Sequence, residues 1–155
     1  MKLSVFTCIV WSLLSCSIQQ KEITIIPLSI LDYDTTAETN GRIYHVKGAH
    51  YLVRDYQDTP ANDSLIKRFV EERRDSFYVP GPSSCAMVFY KESSETNLEN
   101  VNRMKWRIID RYSQDHDLIF DFELKQDGFI VQKLKNGELV NDNNKGTVEM
   151  RQIPE

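Results

Sequence analysis

The chain has 155 residues, of which 27% are charged and 41% hydrophobic, so it has room for one compact domain and a short appendage but not for a two-domain enzyme. Its formal net charge of -4 at pH 7 argues against a surface that neutralises many phosphates, so no nucleic-acid partner is expected. Three cysteines are too few for the multi-bridge framework of a small secreted scaffold.

The amino terminus has the character of an export signal. One charge, on Lys2, precedes an apolar run of about a dozen residues over 3–14. A transmembrane helix needs roughly 20 mostly apolar residues, so this run is short for a permanent span and fits the hydrophobic region of a signal peptide. The alternative is a strand or buried helix of the domain, which the terminal position and the polar break after the run disfavour.

The residues that end this run resemble a known processing signal. Leu13-Leu14-Ser15-Cys16 resembles the lipobox of bacterial lipoproteins, with a leucine three residues before a cysteine and a small residue directly before it. The resemblance implies that residues 1–15 are a lipoprotein signal peptide and that Cys16 receives a diacylglyceryl group and becomes an acylated N-terminus. It also implies that Ser17 is compatible with transfer to the outer membrane. The competing interpretation is ordinary secretion with Cys16 left as a thiol.

Lipidation anchors a protein without making it span the membrane. Two or three acyl chains, at about 0.8 kcal/mol per buried CH₂, hold a soluble domain stably, whereas one chain binds only marginally. The expected partner is therefore the membrane, through a covalent lipid and not a basic patch, and the expected location is the bacterial cell envelope. Residues 16–22 are predicted to be the lipidated end and a polar tether that reaches on the order of 20 Å.

The remaining cysteines fit this interpretation. Loss of residues 1–15 removes Cys8, and lipidation consumes the thiol of Cys16, which leaves Cys85 without a disulfide partner. The apolar stretch around Cys85 predicts a small buried hydrophobe and not a nucleophile, because no activating base is nearby in the sequence. If Cys16 is not lipidated, a bridge between Cys16 and Cys85 becomes possible.

Residues 23–154 predict a single globular domain, and its first part has the pattern of β-structure. The predicted strands cover 23–26, 43–46 and 49–56. The polar residues 35–41 predict a loop. Lys47-Gly48 predicts the two-residue turn of a hairpin, and the alternative is one long strand with a bulge at Gly48.

Two amphipathic helices are predicted next. Thr59 as the N-cap and Pro60 at the first helical position indicate a helix start. This helix has an apolar stripe made by Leu65, Ile66, Phe69 and Val70. A buried strand is predicted over 85–90 and a second helix over 98–112. Trp106 lies off the apolar stripe of that helix, either packed at its flank or exposed as an anchor for a partner.

The carboxyl-terminal part predicts a β-meander. The predicted strands cover 118–124, 129–134 and 147–151. In the first of these, Asp121 and Glu123 alternate with apolar residues, which is the period of a strand with one wet face. Asn136-Gly137 favours a type I′ turn. The predicted fold is α+β, a mainly antiparallel sheet covered on one face by two helices, with a C-terminal β-meander.

Candidate catalytic and metal-binding residues are few. The familiar motifs of phosphate loops, zinc proteases and serine hydrolases are absent from the sequence. His45 and His50 flank the predicted turn and need a third ligand such as Asp55 to hold zinc, so surface or interface histidines are the favoured interpretation. No metal or other cofactor is predicted. Asp115-His116-Asp117 is interpreted as a polar connector, with a proton-sensitive site as the alternative.

These features favour a small noncatalytic lipoprotein that acts as a binding or accessory module of the bacterial envelope. The sequence identifies neither its protein partner nor its oligomeric state. The alternative is a small periplasmic hydrolase with a site assembled from distant residues, with His116, Asp117 or the His45 and His50 pair as candidates. A pocket where His and acidic side chains converge would favour the enzyme, and a filled core with an exposed apolar patch would favour binding.

Overall fold

A computed structural model describes residues 22–109, 112, 116–140 and 147–150, with side chains up to residue 140. The predicted signal peptide, the lipidation site Cys16 and the tether up to residue 21 lie outside the described residues. The predicted polar loop 141–146 lies outside them as well.

Along the described part of the chain, three strands are followed by a helix, a strand, two helices and four further strands. The strands are β1 (Thr24–Pro27), β2 (Tyr33–Thr39), β3 (Arg42–Arg54), β4 (Ser83–Lys91), β5 (Leu118–Lys125), β6 (Gly128–Lys135), β7 (Glu138–Leu139) and β8 (Thr147–Met150). The helices are α1 (Pro60–Phe77), α2 (Leu98–Met104) and the short α3 (Trp106–Ile108). Of these described helices, none has the length and apolar character needed to cross a bilayer.

The long strand β3 joins the two halves of the sheet. On one edge, its residues 42–48 pair with β2 and its residues 51–54 pair with β1, both antiparallel. On the other edge it pairs in parallel with β4, and α1 lies in the crossover connection that a parallel pair requires. The antiparallel strands β5 and β6 follow β4, and β6 also pairs with β7 and β8. The predicted α+β class, with a mainly antiparallel sheet and a C-terminal meander, is therefore confirmed.

The hydrophobic core lies on both faces of the sheet. Val53 and Phe89 pack in a cluster with α1, whereas their chain neighbours Leu52 and Tyr90 pack in a second cluster with α2 and α3. Successive strand residues point to opposite faces, so α1 covers one face and the α2–α3 segment covers part of the other. The sequence prediction had both helices on one face. The difference arises because apolar side chains of the central strands point both ways, and each set needs its own cover.

The hairpin predicted at Lys47-Gly48 is wrong. β3 runs through both residues in continuous register with β2 and β4, so the alternative of one long strand is the correct one, without the bulge. The hairpin turn lies at Asn40-Gly41, whose φ angles of 54° and 71° fit a type I′ turn. The loop predicted over 35–41 is consequently wrong for most of its length, because those residues form β2.

Helix α1 confirms the prediction for its start. The Thr59 side chain accepts a hydrogen bond from the backbone N–H of Asn62 at 3.4 Å, and Pro60 occupies the first helical turn. Ile66 and Val70 of the predicted stripe are fully buried against the sheet. The helix is therefore held by its cap at one end and by its apolar stripe along its length.

The second predicted helix, over 98–112, is interrupted. Lys105 has φ 52° and ψ -133°, which ends α2 and separates it from α3. A residue with a Cβ is strained in this region of backbone space. The helical spacing of the sequence predicts an apolar stripe that includes Val101, Ile108 and Ile109, and these three residues are buried. The apolar stripe is therefore buried on both sides of the break at Lys105, while the backbone changes direction just before Trp106.

The C-terminal meander agrees with the sequence pattern. Phe120, Phe122 and Leu124 of β5 are buried in the cluster under α1. The turn between β6 and β7 has φ angles of 52° at Asn136 and 78° at Gly137, as the predicted type I′ turn requires.

Candidate functional site

The structure separates the two histidines that the sequence placed at a turn. His45 and His50 lie five residues apart in one continuous strand, so their side chains point to opposite faces of the sheet. His45 Nε2 lies 2.7 Å from Asp34 Oδ1 at the partly exposed end of the β2–β3 ribbon. No set of three or more His, Cys, Asp and Glu side chains in the described part of the chain is arranged to hold a metal ion. The alternative in which His45 and His50 together form a zinc or catalytic site is therefore wrong.

The connector residues His116 and Asp117 have different surroundings. His116 is exposed, its ring centroid lies 4.6 Å from that of Tyr112, and it lines a cleft of about 190 Å³. Asp117 is only 2% exposed, and it accepts a hydrogen bond from Ser93 Oγ at 2.6 Å. Its other carboxylate oxygen lies 3.6 Å from Lys91 Nζ. Asp117 thus fastens the turn before α2 to the start of β5, which is a structural role.

The charged groups near the cleft neutralise one another. Lys133 Nζ donates hydrogen bonds to Asp58 Oδ1 at 2.5 Å and to Asp63 Oδ2 at 2.6 Å. The hydrogen bond from Lys133 lowers the pKa of Asp58. Tyr56 donates its hydroxyl to Asp63 at 2.9 Å, and burial raises the pKa of Tyr56. These acids and the phenol hold β6 to the start of α1, and none of them is paired with His116 as a base.

A second candidate lies on the sheet face that carries Leu52, beyond the part covered by α2 and α3. We call it the aromatic–acidic surface. It consists of five residues from β2, β4, α3, β5 and β6 that keep part of their side chains accessible: Tyr33, Val88, Trp106, Asp121 and Ile130. The strand register places the four strand residues on the same face, because Tyr33 pairs with Gly48, Val88 with Asp121, and Ile130 with Glu123. Trp106 joins them through its ring contact with Tyr33.

A glycine makes room for the tyrosine of this surface. The ring of Tyr33 lies across β3 at Gly48, where a Cβ would come within 2.3 Å of Tyr33 Cζ. Any larger residue at this position would force the ring away from the sheet. Burial raises the pKa of Tyr33, and the nearby charge of Asp121 raises it further. The phenol therefore reaches across the sheet toward β5.

The aromatic–acidic surface rests on a buried histidine. His50 is 4% exposed, and its ring centroid lies 5.0 Å from Trp106, edge to face, and 6.0 Å from Tyr33. Its Nδ1 has no hydrogen-bond partner among the described residues and lies 4.0 Å from Asp32 Oδ1. Burial lowers the pKa of His50, which keeps the imidazole neutral at pH 7.

Trp106 combines the two alternatives that the sequence left open for it. The indole packs on His50 with the two rings nearly perpendicular, and its ring centroid lies 6.3 Å from that of Tyr33. The side chain is nevertheless 41% exposed. The strained turn at Lys105 directly precedes it, and strained backbone conformations cluster at functional sites.

Asp121 carries the charge of the aromatic–acidic surface. It is half-buried and makes no hydrogen bond or ion pair within the described residues, whereas its neighbour Glu123 pairs with Lys125. Burial raises the pKa of Asp121, and the charge of Glu123 raises it further. The sequence prediction of a solvated strand face therefore fits Glu123 but not Asp121.

The sequence reasoning missed the part that Tyr33 plays at this surface. Its only early signal was Asn40-Gly41, a favoured hairpin pair whose recognition would have placed Tyr33 on a strand next to β3. Comparison of the chain with protein-family models, with curated proteins and with solved structures gave no match. Whether the cleft or the aromatic–acidic surface is the functional site must therefore be judged from the chemistry of the residues in each.

Proposed function

We propose that this protein is a lipid-anchored lipoprotein of the bacterial envelope, sorted to the outer membrane, that acts as a noncatalytic binding module. The observation that carries the proposal is Leu13-Leu14-Ser15-Cys16 at the end of a short apolar run with one preceding charge. Removal of residues 1–15 leaves Cys16 seven residues before Ile23. The domain is then held within on the order of 25 Å of the lipid.

The surroundings of the polar residues support binding over hydrolysis. A hydrolase needs a nucleophile or an activated water beside a general base. Asp117 is instead hydrogen-bonded to Ser93, and Asp58 is paired with Lys133. The aromatic–acidic surface supports the binding role, because it exposes the large aromatic side chain of Trp106 and also holds the carboxylate of Asp121, which lacks a counter-charge in the described residues.

The anchoring is tested by intact mass and by labelling with palmitate. We expect the native protein to begin at Cys16 and to exceed the mass of the bare polypeptide by its acyl groups. Cys16→Ser is expected to abolish the label and to leave an uncleaved or soluble form. Cys8→Ser is the matched control, because it removes a thiol eight residues upstream in the signal region and is expected to retain the label. A native protein with a free thiol at Cys16 or with residues 1–15 retained contradicts the proposal.

A further inference from the structure

We propose that the aromatic–acidic surface binds an arginine side chain carried by an exposed segment of a partner protein. The inference rests on the proposed binding function and adds the chemistry of the partner. It depends on three features of the surface, which are a half-buried carboxylate, two partly exposed aromatic rings, and a width greater than that of one side chain.

The first feature is the charge of Asp121. Within the described residues no cation pairs with this carboxylate, although the adjacent acid on the same face, Glu123, has Lys125. A half-buried carboxylate without a cation or hydrogen-bond donors is destabilising. Burial and Glu123 raise the pKa of Asp121, and a bound cation reverses that effect. The surface is therefore complementary to a positive charge.

The second feature is the pair of rings. Tyr33 and Trp106 lie 6.3 Å apart between centroids, and the indole is 41% exposed. The faces of Trp and Tyr rings attract cations within about 6 Å of their centroids. Tyr33 is close enough to Asp121 for the carboxylate to raise its pKa, so a cation held by the acid also lies near the phenol.

These two features together favour a guanidinium over an ammonium group. Guanidinium is planar, so it stacks on aromatic faces and forms two parallel hydrogen bonds with one carboxylate. It is also more weakly hydrated, so less is lost when it enters a half-buried position such as that beside Asp121. A lysine ammonium offers a more strongly hydrated point charge and no stacking surface.

The third feature is the width of the surface. It extends from Trp106, which packs over β3, to Ile130 on β6. Three inter-strand steps separate β3 from β6, which corresponds to about 14 Å. Val88 and Ile130 add partly exposed apolar positions along this distance. One guanidinium covers only part of it, so the occupant is a protein segment that brings apolar neighbours with its arginine.

Binding of labelled peptides to the purified lipoprotein in a nonionic detergent tests the inference. The probe is a short fluorescein-labelled glycine–serine peptide with several arginines and one leucine. Two matched probes carry lysine or the neutral isostere citrulline at the same positions. By fluorescence anisotropy we expect saturable binding of the arginine peptide, weaker binding of the lysine peptide, and no saturable binding of the citrulline peptide.

Variants of the surface locate the binding. Asp121→Asn keeps the shape of the side chain and is expected to weaken arginine-peptide binding at least about tenfold. Asp127→Asn makes the same charge change at the exposed turn between β5 and β6 and is expected to leave binding nearly unchanged. Trp106→Leu is expected to weaken binding about fivefold. Circular dichroism melts of each variant verify that it is folded.

Several outcomes overturn the inference. They are no saturable binding of the arginine peptide, equal binding of the citrulline peptide, wild-type binding by Asp121→Asn, or equal losses in Asp121→Asn and Asp127→Asn. A lower melting temperature of Asp121→Asn together with no peptide binding also overturns it, because Asp121 then has an internal partner. The anchoring is judged separately by the mass and palmitate label of the same preparation. Lipidation without peptide binding defeats only this inference, and peptide binding without lipidation defeats only the anchor.

Discussion

Replacement of Gly48 by alanine tests whether the ring of Tyr33 is held against β3. The new Cβ would lie 2.3 Å from Tyr33 Cζ, whereas ordinary van der Waals contacts begin at 3.4 Å. The ring must therefore move by about an ångström or more, which separates it from His50 and Trp106. Overpacking of this kind costs about 1–3 kcal/mol, and the gain from alanine over glycine in a strand offsets part of it. We expect the free energy of unfolding to fall by about 1–2 kcal/mol.

A double-mutant cycle isolates the contact between these two residues. In a Tyr33→Ala background the obstacle is gone, so Gly48→Ala is expected to stabilise the protein by about 0.5–1 kcal/mol. The coupling free energy is then about 2 kcal/mol, within the range for residues in direct contact. Tyr33→Phe is the matched control, because it removes the hydroxyl oxygen at 2.6 Å but keeps the ring carbons at 2.3 and 2.4 Å, and so keeps most of the cost.

Urea unfolding followed by far-ultraviolet circular dichroism measures all members of the cycle. Equal effects of Gly48→Ala in the wild-type and Tyr33→Ala backgrounds would refute the packing of the ring on β3. A cost that disappears in the Tyr33→Phe background would show that the hydroxyl, and not the ring, is the obstacle.

Two further predictions concern stability. Thr59→Ala removes the oxygen that accepts the Asn62 N–H and is expected to lower the free energy of unfolding by about 1 kcal/mol, whereas Thr59→Ser retains most of it. Urea titration decides this, and equal midpoints for the two variants would contradict the cap. Burial lowers the pKa of His50 below its ordinary value of 6.5, so on acidification the unfolded chain binds a proton that the folded chain does not. Stability should therefore fall as the pH drops through 6.5 toward the folded-state pKa, and His50→Phe should flatten this decline in melting temperature; an unchanged slope would refute it.

Local signals predicted the elements whose stabilising contacts are close in sequence. The cap of α1 depends on Thr59 and Pro60, which directly precede or begin the helix. The strand period of β5 and the type I′ turn at Asn136-Gly137 are likewise local properties. Each of these features follows from the dihedral preferences and hydrogen bonds of a few consecutive residues.

Other features depend on contacts between distant residues and could not be predicted locally. The glycine at position 48 leaves space for the ring of Tyr33, which is fifteen residues earlier in the chain. This contact between distant residues indicates that Gly48 lies within a long strand and not at a hairpin turn. Whether the segment is a hairpin or one strand also determines where His45 and His50 lie. A hairpin brings them near each other, whereas in one strand two residues an odd number of positions apart point to opposite faces. The interruption at Lys105 contains no glycine or proline, so the sequence does not indicate it, and the next residue, Trp106, packs against His50 of a distant strand.

The candidate site illustrates the same limit. Alternation placed Asp121 on the face away from the α1 core, which is where the structure has it. Its half-burial does not follow from that alternation, and its charge raises the pKa of Tyr33, which lies on another strand and is remote in sequence. The burial and the electrostatic surroundings of a residue on a strand face therefore depend on the neighbouring strands as well as on its own sequence.

The position of β1 affects how the domain responds to mechanical tension. The described chain enters the sheet through β1, so a pull from the amino-terminal side first loads the four residue pairs between β1 and β3. When this short strand detaches from β3, it adds about 14 Å of extended chain to the amino-terminal segment. Leu28 and Leu31 then resist further extraction, because both are buried in the cluster with α2 and α3. A load applied at that end thus lengthens the connection before it reaches the central strands that carry the aromatic–acidic surface.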